Sequence, residues 1–324
     1  MQSLILVNFG GPRNLEEIPA FLTALLQDRD VIRTKLPSWL HNFLFRKIAL
    51  RRAKKTAHDY EAIGGKSPIY FDTEMLAEIL ALHLKRPVVT FHRYLPDTHK
   101  KSIEAIEELI NDHLTVLPLF PQFSYATTGS IARFFAKHLR PETVQKLRWI
   151  RSYAHHEAFI SAHERHLATY LKNHGLSSQN TALLFSAHGL PVSFIEKGDT
   201  YQTECERSYF QIMKRFPGFV SRLAYQSKFG RAQWLRPSTE DICLSASTWN
   251  DGKENIVIIP LSFTSDHIET LFEIEQLYLP LLQDQGLRGY RCPALNLEPH
   301  WIQALAHIAQ DTQGVSTQTL IYSN

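Results

Sequence analysis

Two short stretches hold the residues best suited to chemistry. In "LLFSAHGLP", residues 183–191, an apolar run ends in His188, with Gly189 and Pro191 directly behind it. In "SDHIETLFEIE", residues 265–275, Asp266, His267, Glu269 and Glu273 crowd together. A histidine at a strand end is either a hydrogen-bonded structural group or a base or metal ligand that works near neutral pH. On a regular helix Asp266, Glu269 and Glu273 fall at i, i+3 and i+7 and share one face. Such a row is either a solvated surface or a path for cations and protons. His267 and Glu269 diverge by about 200° on an α-helix. Both face one cleft only where the helix is just starting or is widened into a π-type turn. The preceding run "IVIIPLSF" reads as a buried strand, so the helix starts at a sheet edge rather than in solvent. One imidazole and one carboxylate from two strand ends can converge. Together they suit a first-row divalent ion, or a base with a proton relay. No HExxH, GxSxG or Walker motif competes with them.

Other segments carry weaker signals. "NFGGPRN" after the first strand lacks the Gly-Lys-Ser/Thr of a P-loop and the full GxGxxG, so it reads as a tight turn where backbone approaches something closely. In "TTGS", Thr127 or Thr128 reads as a helix N-cap, with anion binding as the functional alternative. In residues 36–55, Trp39, Leu40, Phe43, Leu44 and Ile48 form an apolar stripe beside six cations, among them Arg51 and Arg52. The stripe fits a helix packed on a sheet, or a lip that touches a membrane surface or covers an apolar ligand bearing carboxylates.

The elements that must position these residues alternate. Strands are expected near Leu4–Asn8, Val88–His92, Val116–Phe120, Trp149–Tyr153, Ala182–Ser186, Arg222–Gln226 and Ile256–Phe263. Helices are expected between them, for example over Leu15–Gln27, Thr73–Leu84, Ser102–Asn111, Glu157–Lys172, Glu204–Phe216 and Asp266–Leu282. The alternation predicts an α/β protein: two similar Rossmann-like domains, each a parallel sheet flanked by helices. In such sheets ligands bind beyond the carboxyl ends of the strands, where both chemical stretches lie. The expected domains are residues 1–155 and 156–324, with the last helix able to pack back on the first domain.

Composition narrows the field. A chain of 324 residues with net charge +3 lacks the basic excess of a nucleic-acid binder. Cys205, Cys243 and Cys292 are far apart and form no CxxC pair, which argues against a zinc ribbon or a four-thiolate iron–sulfur cluster. No apolar run reaches the length of a membrane span, and no secretion signal is evident. A cytoplasmic protein is expected.

The chain resembles the ferrochelatases, which insert ferrous iron into a porphyrin. The resemblance is carried by "NFGGPRNLEEIPAFL", "DRDVI", "YEAIGGKSPI", "RYLP", "LPLFPQFSYATTGS", "LLFSAHGLP", "LAYQSKFGRAQWL" and "PLSFTSDHIETLFEIE". It implies a porphyrin cleft between the two domains. It implies that His188 lies against the central nitrogens of the macrocycle, with Glu269 opposite and His267 and Glu273 along one conduit. His188 is then a base or a metal ligand, and both readings stay open for His188 and Glu269. Arg51, Arg52, Arg93, Ser227 and Lys228 match positions near the propionates; Tyr60, Phe120, Trp234 and Phe263 match positions that contact the ring. The resemblance further implies porphyrin and Fe²⁺ as substrates, no permanently bound cofactor, a monomer or homodimer, and peripheral contact with the inner membrane. Tyr125 stands where cluster-bearing relatives place a cysteine, so no iron–sulfur cluster is expected. Pro12-Arg13 stands where relatives often have Pro-Glu or Pro-Tyr, which removes a tyrosine ligand. The motifs are closer to protoporphyrin-using than to coproporphyrin-using members. A tetrapyrrole cobalt chelatase of the same superfold and a porphyrin carrier without turnover are the alternatives.

Overall fold

The computed structural model describes residues 3–109, 113–228, 230, 232–311 and 313–322. The chain divides into two compact units, Met1–Ser152 with Ala306–Asn324, and Tyr153–Leu305. The division falls inside the helix Pro299–Asp311.

The first unit is built on a parallel sheet of β1 (Ser3–Asn8), β2 (Val88–His92), β3 (Leu114–Pro118) and β4 (Leu147–Trp149), in the order β2-β1-β3-β4. Every residue of β1 and β3 is buried, as expected of central strands covered by helices on both faces. Val7, Phe91, Val116, Phe123, Ile131, Phe135 and Trp149 form one core. The C-terminal segment belongs to this unit. Val315 and Trp149 exchange backbone hydrogen bonds, and Trp149 Nε1–H donates to Thr317 Oγ1 at 3.0 Å. The turn after β1 needs glycine for a local reason: a Cβ on Gly11 would stand 2.5 Å from Ser67 Oγ.

The second unit repeats the plan with β5 (Thr181–His188), β6 (Ser221–Gln226), β7 (Asn255–Pro260) and β8 (Arg288–Arg291), in the order β6-β5-β7-β8. The chain turns to one side after β5 and to the other after β7. The carboxyl ends of β5 and β7 therefore form the topological switch point, where open α/β sheets bind ligands. Leu184, Ala224, Ile256, Ile258, Ile274 and Leu282 pack the core. Helix Glu157–Asn173 buries Phe159, Ile160, His163, Leu167 and Leu171, the i, i+4 rhythm of one helical face, and His156 Nδ1 caps it by accepting from Ala158 N–H at 3.2 Å.

Several boundaries differ from the sequence reading. β3 and β4 each begin two residues early. β7 stops at Pro260, whose ring nitrogen cannot continue the ladder. The helices expected at Thr73 and Ser102 begin at Pro68 and Pro96, prolines at the first helical position whose missing N–H costs nothing there. The second ends at Glu107, and the Ile110 and Asn111 of the expected segment lie outside the described residues. β8 was not expected. Its "RGYR" has no apolar alternation, because as an edge strand it pairs only with β7. The cap before the helix Ser130–His138 is Ser124, not Thr127 or Thr128: Ser124 Oγ accepts from Ala126 N–H at 3.1 Å, ahead of a wide turn over Tyr125–Gly129.

The amphipathic segment forms one helix, Ser38–Glu61. Its buried residues are His41, Phe45, Ala49, Ala53 and Tyr60, a narrow seam of four-residue steps. Much of the stripe, read either as packed on a sheet or as a lip, turns outward: Trp39 is 72% exposed and Phe43 55%, with Leu44 and Leu50 also exposed. Among the described residues no helix is long and apolar enough to cross a membrane.

Candidate active site

His188 is the last residue of β5 and pairs in register with Gln226, the last of β6. Its backbone N–H donates to Ser262 Oγ at 2.8 Å, which ties it to the loop after β7. Gly189 follows because nothing larger fits: a Cβ there would lie 2.7 Å from the Gln226 carbonyl oxygen and 3.2 Å from the Trp234 ring. Residues 190–192 run antiparallel to 233–235, with Pro191 opposite Trp234, so the half-buried Trp234 belongs to the wall of the His188 turn.

The helix after β7 is a π-helix over Glu269–Tyr278. Both conditions set by the sequence are met, since His267 lies just before the helix and Glu269 opens its wide turn. The result is that His188 Nδ1 lies 2.8 Å from Glu269 Oε2, and His267 Nε2 lies 4.0 Å from the same oxygen. An ionised carboxylate only accepts, so His188 Nδ1–H is the donor. That bond fixes the tautomer and leaves the Nε2 lone pair free, the arrangement by which a carboxylate orients a catalytic imidazole. His267 Nδ1–H donates to the Ser265 carbonyl at 3.1 Å, so its own Nε2 lone pair also points away from the backbone. The Phe263 ring stands edge-on to both imidazoles, with centroids 6.1 Å from His188 and 4.6 Å from His267.

Glu273 lies one turn beyond Glu269. Its Oε2 accepts from Ser227 Oγ at 2.6 Å, Gln226 Nε2 at 3.3 Å and Tyr278 O–H at 3.4 Å. Ser227 also reaches Glu269 Oε2 at 3.3 Å. It does so with a φ of 66°, a left-handed conformation that serine rarely adopts, and strain of this kind concentrates at functional sites. Gln226 Nε2 holds the Glu269 carbonyl at 2.8 Å, and Ser186 Oγ–H fixes the orientation of the Gln226 amide by donating to its Oε1 at 2.6 Å.

These contacts separate two carboxylates of one type. Burial alone would raise Glu269. The charge and hydrogen bond of His188, with His267 and Ser227, outweigh burial and hold it at about 2. Burial and the neighbouring Glu269 charge push Glu273 up to about 7. Burial would lower His188, but Glu269 and Glu273 overcome this and raise it above the ordinary histidine value. Burial keeps His267 below that value. At neutral pH the site thus holds a firm carboxylate, a half-protonated one, and two imidazoles displaced in opposite directions. Environments that drive like groups apart mark acid–base assignments.

Asp266 leaves the row that the sequence drew. It precedes the helix, is buried, and its carboxylate is held by Arg291 at 2.9 Å and Asn296 Nδ2 at 2.9 Å. Gln226, Ser186 and Tyr278 were not singled out from sequence; for Ser186 and Gln226 the visible signal was a polar side chain near a strand end, and for Tyr278 there was none. A cavity of about 370 Å³ adjoins Glu273 and is lined by Tyr225, Gln226, Ser227, Lys228, Ser238, Glu240, Glu273, Leu277, Tyr278 and Leu281. Lys228 is exposed at its rim, 4.0 Å from Glu240.

The remaining expected residues belong to the first unit. Arg51 and Arg52 are exposed on the helix Ser38–Glu61, and Tyr60 is buried near its end. Phe120, two residues past β3, packs against the core. Arg93 is engaged by its own unit, donating to Asp28 at 2.7 Å and Ser130 Oγ at 2.9 Å.

Two parallel sheets of one strand order, with a histidine–carboxylate pair at a switch point, define the chelatase class of α/β proteins. Solved structures share the fold at 14% identity. SirB from Bacillus subtilis with Fe³⁺ matches with a TM-score of 0.56 over 100% of both chains. CbiX, described as the terminal enzyme of siroheme biosynthesis in denitrifying bacteria, matches with a TM-score of 0.53 over 97% of this chain and 100% of its own. The ferrochelatase family model matches residues 1–313. Ferrochelatases of Chlamydia abortus and Chlamydia caviae are each 46% identical over 323 residues, covering 100% of both chains. That of Chlamydia pneumoniae is 43% identical over 319 residues, or 98% of this chain and 96% of its own. The chain belongs to the ferrochelatase family: it is a metal-chelating enzyme, a lyase that forms nitrogen–metal bonds.

Proposed function

We propose that the chain inserts Fe²⁺ into protoporphyrin IX, releasing two protons, and that His188 Nε2 accepts the pyrrole protons. The observation that carries the reading is the 2.8 Å bond between His188 Nδ1 and Glu269, which leaves Nε2 as the free basic atom at the switch point. In this reading Glu269 stabilises the protonated imidazole. Glu273, poised near neutrality beside the adjoining cavity, passes the proton on. His267 Nε2 with Glu269 presents a nitrogen and an oxygen 4.0 Å apart to incoming iron, a donor set suited to a first-row divalent ion. A proton and an iron ion cannot share the His188 Nε2 lone pair, so this reading gives His188 the base role and the iron contact to its neighbours. Within the second unit, Phe263 and Trp234 are read as flanking the ring and the exposed Lys228 as a propionate partner. No permanently bound cofactor and no iron–sulfur cluster are part of the proposal. The exposed Trp39 and Phe43 support peripheral membrane contact.

The test is anaerobic incubation with protoporphyrin IX or coproporphyrin III and Fe²⁺ or Co²⁺, followed through the porphyrin absorption bands. Wild type should metallate protoporphyrin with Fe²⁺ in preference to the other pairs. His188→Ala should lose about 10²–10⁴-fold in kcat, the usual worth of a positioned base. Selective turnover of coproporphyrin, selective cobalt insertion, a spectral shift without metallation, or an unimpaired His188→Ala protein would each sink the proposal.

A further inference from the structure

A second cluster of metal-binding side chains lies in the second unit on elements the reaction does not use. His166 projects from the helix Glu157–Asn173, and Glu298 and His300 lie at the start of the helix Pro299–Asp311. One ligand atom from each of the three lies within 4.8 Å of the other two. The rings of His166 and His300 are 6.0 Å apart.

The hydrogen bonding leaves nitrogen lone pairs unused. His166 Nε2–H donates to the Pro293 carbonyl at 2.9 Å, which makes Nδ1 the free lone pair. A backbone carbonyl holding the far nitrogen is how metal-ligating histidines are commonly oriented. His300 Nε2 is buried and has no hydrogen-bond partner among the described residues. His163, one turn before His166, is 4% exposed, and its Nε2 is also without a partner. It lies close enough to His166 and His300 for their charges to act on it. His300 Nδ1 lies 3.8 Å from Glu298 Oε2, and a buried ring nitrogen without a partner is costly unless a ligand takes up the group.

We propose that His166, Glu298 and His300 bind a divalent ion of the zinc class, with water as the fourth ligand. Two imidazoles and one carboxylate match the nitrogen and oxygen ligands zinc takes in proteins. Fe²⁺ stands below Zn²⁺ in affinity for such ligands, so the site retains zinc and does not ferry iron to the porphyrin. The ion clamps the helix Glu157–Asn173 to the start of the helix Pro299–Asp311. It also fixes the segment from Pro293 to Glu298, whose Asn296 holds Asp266 next to His267. The role is therefore structural, at one remove from the chemistry.

The test uses full-length protein carrying His188→Ala and Glu269→Gln, so that the candidate active site does not bind the added ion. After chelator treatment, calorimetric titration with ZnCl₂ should show one equivalent bound, and the melting temperature should rise by several degrees. Glu298→Gln, at a carboxylate that is 46% exposed, should weaken binding by at least about tenfold, as should His166→Ala. X-ray absorption of the loaded protein should show only nitrogen and oxygen neighbours at about 2.0–2.1 Å. Absence of saturable one-equivalent binding would overturn the proposal. So would unchanged affinity in Glu298→Gln protein that folds normally by circular dichroism, or sulfur neighbours at about 2.3 Å.

Discussion

Glu273→Gln tests the electrostatics of the site without relying on turnover. Glu273 titrates near 7 instead of 4.5 because it is buried beside the ionised Glu269. A carboxyl whose folded value is raised holds its proton in the folded state after the unfolded chain has lost it. The folded state then binds more protons over that interval, and stability falls as pH rises through it. Each pH unit costs about 1.4 kcal/mol, so the climb from 4.5 to about 7 costs about 3 kcal/mol. Water at the partly exposed side chain screens this to about 2 kcal/mol. Glutamine keeps the shape of the protonated carboxyl and cannot ionise, so the variant escapes the loss. Thermal melts should give nearly equal midpoints for the two proteins at pH 4. At pH 8 the variant should melt about 4–8 °C higher, at roughly 2–4 °C per kcal/mol for a unit of this size. The readout is the gap between the two proteins, so titrating groups remote from Glu273 cancel, while His188, which Glu273 raises, contributes to it. A gap that stays constant between pH 4 and pH 8, or a variant less stable than wild type at pH 8, would refute the reasoning.

Two further outcomes follow from the same geometry. Glu269 raises His188, and His188 must be unprotonated to accept a proton, so in wild type the acidic limb of kcat/KM should lie above pH 6.5. Glu269→Gln should lower the maximal rate and move that limb to lower pH; a limb that does not move breaks the link between the two residues. Replacing Trp39 and Phe43 together by glutamate should abolish co-sedimentation with anionic vesicles and leave the melting temperature nearly unchanged, since both side chains are exposed. Equal co-sedimentation would remove the membrane role of that face.

The fold was legible wherever a strand is buried on both faces, because covered parallel strands read as continuous apolar runs. The central strands β1, β3 and β5 were found within two residues at either end, as were the edge strands β2 and β6, which keep some apolar residues; β8 was invisible because its four residues form no apolar run. The pairing of His188 with Glu269 was legible as position: each follows a strand of the same sheet. Its helix was legible only as a condition, that the turn be wide or newly begun, since no local residue preference announces a π-helix. Asp266 was misjudged because its partners Arg291 and Asn296 come from a distant segment. The sequence left the stripe of Trp39 and Phe43 open between a packed face and a bare lip, since an apolar stripe looks the same either way. Ser186 and Gln226, which set the site from behind, gave no signal beyond being polar among apolar neighbours.

The two sheets share one strand order, and this has a consequence for descent. A half-length ancestor with a single four-stranded sheet would have carried one switch point, and two identical copies would have been obliged to furnish both alike. Joined in one chain, the two ends were released from that obligation. β1 ends in Asn8 paired with His92, where β5 ends in His188 paired with Gln226. The strand beside each reaches a proline, Pro118 or Pro260, and continues as Leu-Phe in one half and Leu-Ser-Phe in the other. The additional serine of the second half is Ser262, the residue that receives the His188 N–H. The histidine at the strand end and the serine that holds its N–H belong to the second half, and the first keeps asparagine at the matching strand end.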